Sequence, residues 1–209
     1  MLAIDHIVIA AKDPAQAAID FGKKHGVTTL EGGRHTNWGT YNHLAYFRND
    51  CYIEWIGIFD ESLAVRSNNP LVQQLFQALE ADIERPIQFA LRTDNMDAYL
   101  NHFYTLDIAH TGPISGSRQK PNGTTLAWRM LFPDFGAVAA PFLIEWSEAK
   151  NSPQDERYLN KQQMKFVTCG LGLDVMEQVY RLDIADKSIA LENGMLVLQI
   201  DEDIRFHLE

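Results

Sequence analysis

The feature that most constrains the fold is an internal repeat in the order strand, helix, strand, strand, strand. Residues 86–95 align with residues 4–13 without a gap, and each copy opens with a buried, β-branched run. Each copy closes on an apolar run that contains Ile-Glu-Trp, first at Ile53–Trp55 and again at Ile144–Trp146. Two copies of one unit predict an α+β protein of paired βαβββ units.

Local signals place the elements inside each copy. Asp13 and Pro14 are typical of an N-cap and a first helical position, and Gly26 ends that helix. The second strand is predicted over 27–31 and is expected to break at Gly32 and Gly33. The stretch 112–123 is rich in Gly, Ser, Lys, Pro and Asn, and is read as a hairpin region before the next strand.

The tail repeats the pattern in shortened form. It contains an apolar strand, a short helix and a hairpin around Asn193-Gly194, which is a strong turn signal. No His, Glu or Gln stands convincingly at the place of Glu54, so this copy is assigned to structure. The predicted segments are a first unit (1–60), a helical connector (61–84), a second unit (85–147), a linker (148–164) and a partial third unit (165–209).

The composition limits the classes of partner that this chain is expected to bind. The net charge of −10 argues against nucleic acid and anionic lipid, which bind basic surfaces, and leaves a small-molecule ligand or substrate, or another protein, as the expected partner. No stretch approaches the roughly 20 apolar residues that span a bilayer. The start of the chain does not read as a signal peptide, and Cys51 and Cys169 form no disulfide framework or metal motif, so a cytoplasmic protein is expected.

A glutamate inside an apolar strand requires a partner, because burial of an unpaired charge is costly. A metal ion, an arginine or protonation of the carboxyl group would each meet that requirement. Because Glu54 and Glu145 occur in the same tripeptide, they are expected to act together. Arg129 lies between two apolar residues in a strand and is the rival to a metal: paired with Glu54 or Glu145, it would form a metal-free pocket for an anion or other ligand.

Other side chains are candidates for ligand contact. Arg34 and His35 follow the two glycines, where a sharp turn would present both at one opening, although a surface arginine and a solvated histidine fit the sequence as well. Trp38 and Asn42 are expected to line the same space, unless Trp38 plugs one end. His43 points to the opposite face from Asn42 and is read as structural. The candidates for substrate binding are Arg34, His35, Trp38, Asn42 and Arg129.

The pattern resembles the vicinal oxygen chelate superfamily, which includes glyoxalase I, extradiol dioxygenases, and the fosfomycin and bleomycin resistance proteins. The resemblance rests on residues 5–8 at the start of a βαβββ unit and on a strand glutamate near the end of each unit. The run Gly32–Asn42, with Pro141–Trp146, resembles the glyoxalase-like subgroup in particular. The resemblance covers residues 1–147 well and the tail loosely. It implies a cupped, incomplete barrel made by the two units.

The resemblance also implies a divalent-metal site inside the cup. Carried over to this chain, the ligand positions are His6, Glu54, Gln88 and Glu145, with the glutamates also as catalytic residues. Such a set suits Zn, Ni, Mn or Fe. Gln88 in place of a second histidine counts against dioxygenase chemistry, and no motif for a nucleotide cofactor is present.

Two functions follow from the resemblance. The first is a metal-dependent lyase or isomerase of a small oxygen-chelating substrate, in which a glutamate moves the proton. The second is a metal-free module that binds or sequesters a small molecule in the same cup. A homodimer is compatible with either function.

Overall fold

The first unit begins with a buried strand and a helix whose caps match the predicted ones. The computed structural model describes residues 1–119, 123–136, 140–182, 184, 187–199 and 203–209. The Asp13 side chain accepts a hydrogen bond from the Gln16 amide, and Gly26 ends the helix in the left-handed conformation with φ of 64°. The elements of this unit are β1 (Ala3–Ala10), α1 (Pro14–His25), β2 (Leu30–His35), β3 (Thr40–Phe47) and β4 (Cys51–Ile58).

The connector and the second unit follow in the predicted order. Pro70 begins the longer connector helix, and the side chain of Asn69 caps it by accepting from the Leu71 amide at 3.0 Å. The elements are α2 (Glu61–Val65), α3 (Pro70–Glu80), β5 (Pro86–Arg92), α4 (Met96–Thr105), β6 (His110–Gln119), β7 (Thr125–Pro133) and β8 (Phe142–Trp146).

The structure corrects one detail of the strand prediction and completes another. Strand β2 does not end at Gly32 and Gly33 but continues to His35, paired with β3, with a register shift between Glu31 and Gly33. The stretch read as a hairpin region contains the first strand of that hairpin, β6, which pairs antiparallel with β7 along most of its length. In both places the partner strand supplies the backbone hydrogen bonds, and local composition does not reveal that partner.

The two units form one curled, open half-barrel sheet. Among the described residues its strand order is β2-β3-β4-β1-β5-β8-β7-β6, and β1 and β5 meet antiparallel at the centre. Within each unit the first and last strands are parallel, β1 with β4 and β5 with β8. The concave face of this sheet is called the cup below. The paired-unit α+β architecture predicted from the repeat is confirmed.

Helix α3 packs inside the cup, and it makes the cup shallow. Leu71 and Leu75 of α3 belong to one buried cluster with Val8 of β1, Ala90 of β5 and Phe142 of β8. The opposite face of the sheet packs against α1, α4 and the C-terminal unit in a second and larger cluster.

The tail forms the predicted shortened third copy as a second sheet. Its elements are β10 (Met164–Cys169), α5 (Leu173–Tyr180), β11 (Ser188–Ala190), β12 (Met195–Leu198) and β13 (Arg205–Leu208). Strand β10 is parallel to β12 and antiparallel to β13, as β1 is parallel to β4 and antiparallel to β5. Before this sheet, the linker adds a 3-10 turn (Glu156–Tyr158) and a short strand β9 (Leu159–Asn160), which pairs with β3.

Asn193, at the predicted turn of the tail, joins the second sheet to the first strand. Its amide nitrogen donates to the carbonyl oxygens of Ile4 and Asn49, at 2.9 and 2.7 Å. Its amide oxygen accepts from the Ile4 amide at 2.8 Å. The third unit therefore holds β1 from outside, directly before Asp5 and His6.

Candidate active site

Asp5 and His6 lie at an irregularity of β1, where the register with β5 shifts between Ile4 and His6. The shift lets two consecutive residues contact each other: Nδ1 of His6 is 2.7 Å from Oδ1 of Asp5. Oδ2 of Asp5 accepts from the indole nitrogen of Trp146 at 2.9 Å and from Arg92 at 3.2 Å. Tyr52 stacks on the imidazole with ring centroids 4.6 Å apart, so the ring of His6 is fixed on two sides.

The environment of Asp5 determines the orientation of the imidazole. Burial raises the pKa of Asp5, but the hydrogen bonds from His6 and Trp146 and the positive charges of His6 and Arg92 outweigh it, so the pKa is lowered overall. An ionised Asp5 accepts a hydrogen bond from the Nδ1–H group of His6, and Nε2 is then the acceptor when the ring is neutral. Nε2 lies 3.5 Å from Oε2 of Glu54.

Glu54 faces the cup from β4, as the sequence predicts. The amide nitrogen of Asn42, across the strand pair, donates to its Oε1. Asn42 fits this position because residue 32 is a glycine: a Cβ there would lie 2.1 Å from the amide oxygen of Asn42. Asn42 also lines the cup, and its bond orients the carboxylate of Glu54.

His35 and Trp38 also line the cup. Nδ1 of His35 is 2.9 Å from the hydroxyl oxygen of Thr40, and burial lowers the pKa of His35, which favours the neutral ring. Trp38 packs near Trp128, with ring centroids 6.3 Å apart, and Trp128 packs near Trp146 at 5.5 Å. The cup thus has a polar end at His6 and Glu54 and a wall of tryptophans.

Gln88 is buried, but both ends of its amide are bound to backbone. Its nitrogen donates to the carbonyl of Ala140 at 2.9 Å, and its oxygen accepts from the Phe89 amide at 2.9 Å. Gln88 is therefore a core amide bound to backbone at both ends, and it is not among the residues that line the cavity of the cup.

Glu145 does not share the cup with Glu54. Ile144 pairs with Arg92 on the neighbouring strand β5. Arg92 is four residues from Gln88, so Ile144 lies on the same face of the sheet as Gln88. Glu145 is the next residue and therefore points to the opposite face of the sheet. There its Oε1 accepts from the Met96 amide at the start of α4, at 2.9 Å. Its Oε2 accepts from Nε of Arg129 at 3.0 Å.

Arg129 and Arg34 do not line the cup. The guanidinium of Arg129 forms the predicted ion pair with Glu145 and also pairs with Asp97 of α4, at 2.9 Å from Asp97. This pair lies at the start of α4, and Arg129 also borders a neighbouring hollow with Trp38 and Trp128. Arg34 is exposed, and its guanidinium lies over the ring of Phe59, 4.7 Å from the centroid.

Arg118, at the end of β6, reaches the cup although the sequence analysis did not single it out. Its guanidinium donates to the Gly32 carbonyl of β2 at 2.6 Å and to the Asn151 side chain at 3.0 Å. Because β2 and β6 are the two outer strands in the order of the half-barrel, Arg118 bridges its open seam. The residue was missed because it lies in the polar hairpin region, where the composition does not show which side chains face the cup.

The predicted metal ligands are not brought together. His6 and Glu54 face each other in the cup, Gln88 is bound to backbone, and Glu145 lies across the sheet. Among the described residues no group of three or more His, Cys, Asp and Glu side chains is arranged to hold a metal ion. The donor set therefore does not fit the four-ligand site that the resemblance implies.

The space enclosed by the cup is small. Its cavity is about 40 Å³, enough for a few water molecules at roughly 10–15 Å³ each. It adjoins an outer hollow of about 390 Å³ that shares His35, Trp38 and Trp128 with it. A ligand of a few non-hydrogen atoms fits the cavity, and a larger one would extend past the tryptophans.

Two further residues of the site, Asp5 and Tyr52, differ in how far the sequence reveals them. Asp5 precedes His6 and would point to the opposite face of a regular strand, so the irregularity of β1 is required to see it. Tyr52 follows the alternation of β4 and could have been named with Glu54.

Burial raises the pKa of Tyr46, beside the seam, to about 12, and raises the pKa of Tyr52 as well, so both phenols stay protonated.

Comparison with known families and curated proteins gives two findings. A family model described as a glyoxalase-like domain matches residues 4–175. No curated protein matches the chain. None of the helices in the described part of the chain is long and apolar enough to cross a membrane.

Solved structures share the fold at low identity. A hypothetical protein from Staphylococcus aureus superposes with a TM-score of 0.80 at 18% identity, over 98% of this chain and 88% of that chain. Methylmalonyl-CoA epimerase from Mycobacterium tuberculosis gives 0.51 at 18% identity, over 69% and 87% of the two chains. The Streptomyces coelicolor epimerase, in complex with 2-nitronate-propionyl-CoA, gives 0.51 at 17% identity, over 72% and 98%.

Proposed function

Because the chain belongs to the glyoxalase-like domain family of the vicinal oxygen chelate superfamily, we propose that its cup binds a small carbonyl compound and moves a proton on it. The reaction class is an isomerisation or a related proton transfer. The observation that carries the proposal is the buried imidazole of His6, held by Asp5 at one nitrogen and facing Glu54 with the other.

In the proposed reaction, Nε2 of His6 accepts a proton from a carbon next to the carbonyl group. The electron pair of that C–H bond moves to the carbonyl oxygen, which gives an enolate and an imidazolium. Asp5 and Glu54 stabilise the imidazolium, and Asp5 keeps Nδ1 protonated throughout. Return of the proton to the same or the neighbouring carbon completes the reaction without a net change in charge.

The enolate oxygen requires a hydrogen-bond donor. Asn69, which lines the cup, is nearly fully buried, and its amide nitrogen has no hydrogen-bond partner in the described part of the chain. An unpaired buried donor is costly, and a ligand oxygen would satisfy it. We assign Asn69 as the donor to the carbonyl oxygen of the substrate.

The residues do not favour a permanently bound metal ion. His6 and Glu54 alone offer two ligands from the predicted set, fewer than the three protein ligands of a typical catalytic zinc site. We therefore propose that the proton transfer depends on His6, Asp5 and Glu54.

The test is exchange of carbon-bound hydrogen with solvent. Hydroxyacetone and pyruvate are incubated with the protein in deuterium oxide, and deuterium incorporation is followed by proton NMR. We expect exchange above the protein-free rate, lowered by roughly 10²-fold or more in His6→Gln. His25→Gln is the matched control, because His25 is exposed at the end of α1.

Two outcomes are decisive against the proposal. Exchange that is unchanged in His6→Gln would place the chemistry elsewhere. Binding of either compound without any exchange would favour the second function, a module that binds or sequesters a small molecule.

A further inference from the structure

We propose that Arg118 is the anion-binding group of the cup, and that the natural ligand is a small carboxylate whose charged end pairs with its guanidinium. The inference rests on the proposed function for the location of the ligand. It adds the chemical class of that ligand, which the proton-transfer argument leaves open.

The first observation is that Arg118 is a buried cation without a counter-ion. Its exposure is 9%, and both of its described hydrogen bonds go to neutral oxygens, the Gly32 carbonyl and the Asn151 side chain. No carboxylate pairs with it among the residues that the structure describes. Burial of a charge without an opposite charge is costly, and an anionic ligand would remove that cost.

The other strand arginines near the sheet show the contrast. Arg92 pairs with the buried Asp5, and Arg129 pairs with Glu145 and Asp97. Glu54 lines the same cup as Arg118 but is bound to Asn42 and faces His6 instead. The chain thus supplies a carboxylate to each of these two strand arginines and leaves the one in the cup with neutral partners.

The position of Arg118 suits the end of a ligand. It lines the cup and also a second hollow between β2 and the linker, so it lies at the boundary between the site and its surroundings. A guanidinium binds a carboxylate through two parallel hydrogen bonds, and Nη1 and Nη2 here hold replaceable neutral acceptors. Because Asn151 is part of the linker, its bond to Arg118 can be exchanged without breaking the sheet.

The size of the cup limits the size of the rest of the ligand. A carboxylate and a neighbouring carbonyl group fill a space of a few atoms, as the cavity provides. Any apolar remainder would pass Trp38 and Trp128 into the outer hollow that these residues also line. The ligand class is therefore a small carboxylate, with room for an apolar group on the tryptophan side.

The test measures charge preference at equilibrium. Pyruvate, benzoate and phenylacetate are titrated into the full chain, with benzamide and phenylacetamide as neutral counterparts, and quenching of tryptophan fluorescence is the readout. Three of the four tryptophans line the cup, so a bound ligand changes their emission. We expect benzoate and phenylacetate to bind at least about tenfold more tightly than their amides, and Arg118→Gln to lower the affinity for each carboxylate roughly 10- to 100-fold.

Matched variants separate binding from folding. Arg118→Lys keeps the charge and should retain a weaker preference for carboxylates, while Arg34→Gln, on the exposed surface, should bind as the natural chain does. Thermal unfolding of each variant shows whether it folds. The proposal is overturned if no carboxylate binds, if amides bind equally well, or if folded Arg118→Gln keeps full affinity.

The readout also distinguishes this proposal from the proposed function. Binding needs no proton transfer, so His6→Gln is expected to keep its preference for carboxylates over amides while losing exchange. If the protein exchanges the carbon-bound hydrogens of hydroxyacetone but shows no preference for carboxylates, the proposed proton transfer is supported and the proposed role of Arg118 is wrong.

Discussion

The tripeptide Ile-Glu-Trp occurs twice in this chain, and its two glutamates lie on opposite faces of the sheet and make different contacts. Glu54 lies in the cup beside His6, whereas Glu145 lies on the other face and binds the first turn of α4. The difference comes from the pairing register, since a shift of one residue moves a side chain to the opposite face. The sequence predicts that both strands exist, but the loops between them conceal the register.

Exchanging each glutamate for glutamine should separate the two roles. We expect Glu54→Gln to lower the deuterium exchange rate by about 10²-fold with little loss of stability. We expect Glu145→Gln to leave the exchange rate unchanged and to lower the free energy of unfolding by about 1–3 kcal/mol, because it weakens the bonds to Arg129 and Met96. Urea unfolding and the exchange assay measure the two effects, and the opposite assignment would contradict the register.

His35 should make stability depend on pH. Burial lowers its pKa in the folded state below the ordinary value of 6.5, so the unfolded chain binds the proton more readily. The stabilising contribution is fully present above about pH 6.5 and decreases as the pH falls, with a slope of at most about 1.4 kcal/mol per pH unit.

The pH effect is measured by urea unfolding between neutral and mildly acidic pH. His35→Gln should reduce the slope of unfolding free energy against pH, and His25→Gln should leave it unchanged. An equal slope in the natural chain and in His35→Gln would show that the ring is not held neutral by burial.

At the scale of elements, the sequence predicts what is local and misses what depends on a partner. The caps of α1 are correct because Asp13, Pro14 and Gly26 act on their own backbone. Strand β6 is hidden because Gly116 looks like a loop residue. In the structure a Cβ at Gly116 would lie 2.5 Å from Cε2 of Trp128 on the paired strand, so the glycine makes room for that indole.

The sequence predicts a helical connector over 61–84, but it does not indicate that α3 lies inside the cup. Leu75 is fully buried there. We expect Leu75→Ala to cost about 2–5 kcal/mol of unfolding free energy through the cavity it leaves. Leu106→Ala, at an exposed position after α4, should change it by less than about 0.5 kcal/mol. Similar values for both would mean that α3 is not packed on the sheet.

At the scale of the whole molecule, the repeat predicts paired units and a partial third one, and the structure adds how the third is attached. Asn193 binds the backbone of Ile4 with both ends of its amide, next to Asp5 and His6. The third unit therefore stabilises the strand that carries the site. A turn signal alone could not indicate this contact, because it joins positions far apart in the sequence.

Loss of this contact should lower the stability of both sheets together. Asn193→Ala removes three hydrogen bonds, and we expect a loss of about 1–3 kcal/mol in a single unfolding transition. The measurement combines tryptophan fluorescence, which reports the first sheet, with far-ultraviolet circular dichroism, which reports both. Two separate transitions in the natural chain would show that the third unit folds independently.

The central claim is that the cup works through His6, Asp5 and Glu54, without the four-ligand metal site that the family resemblance implies. The most direct test is the metal content of untagged protein purified without chelator, with Glu54→Ala and Glu145→Ala beside it. We predict no stoichiometric divalent metal in any of the three, including after soaking with Zn²⁺, Ni²⁺ and Mn²⁺. Near-stoichiometric metal in the natural chain that is lost in Glu145→Ala would contradict both the metal-free site and the placement of Glu145 outside the cup.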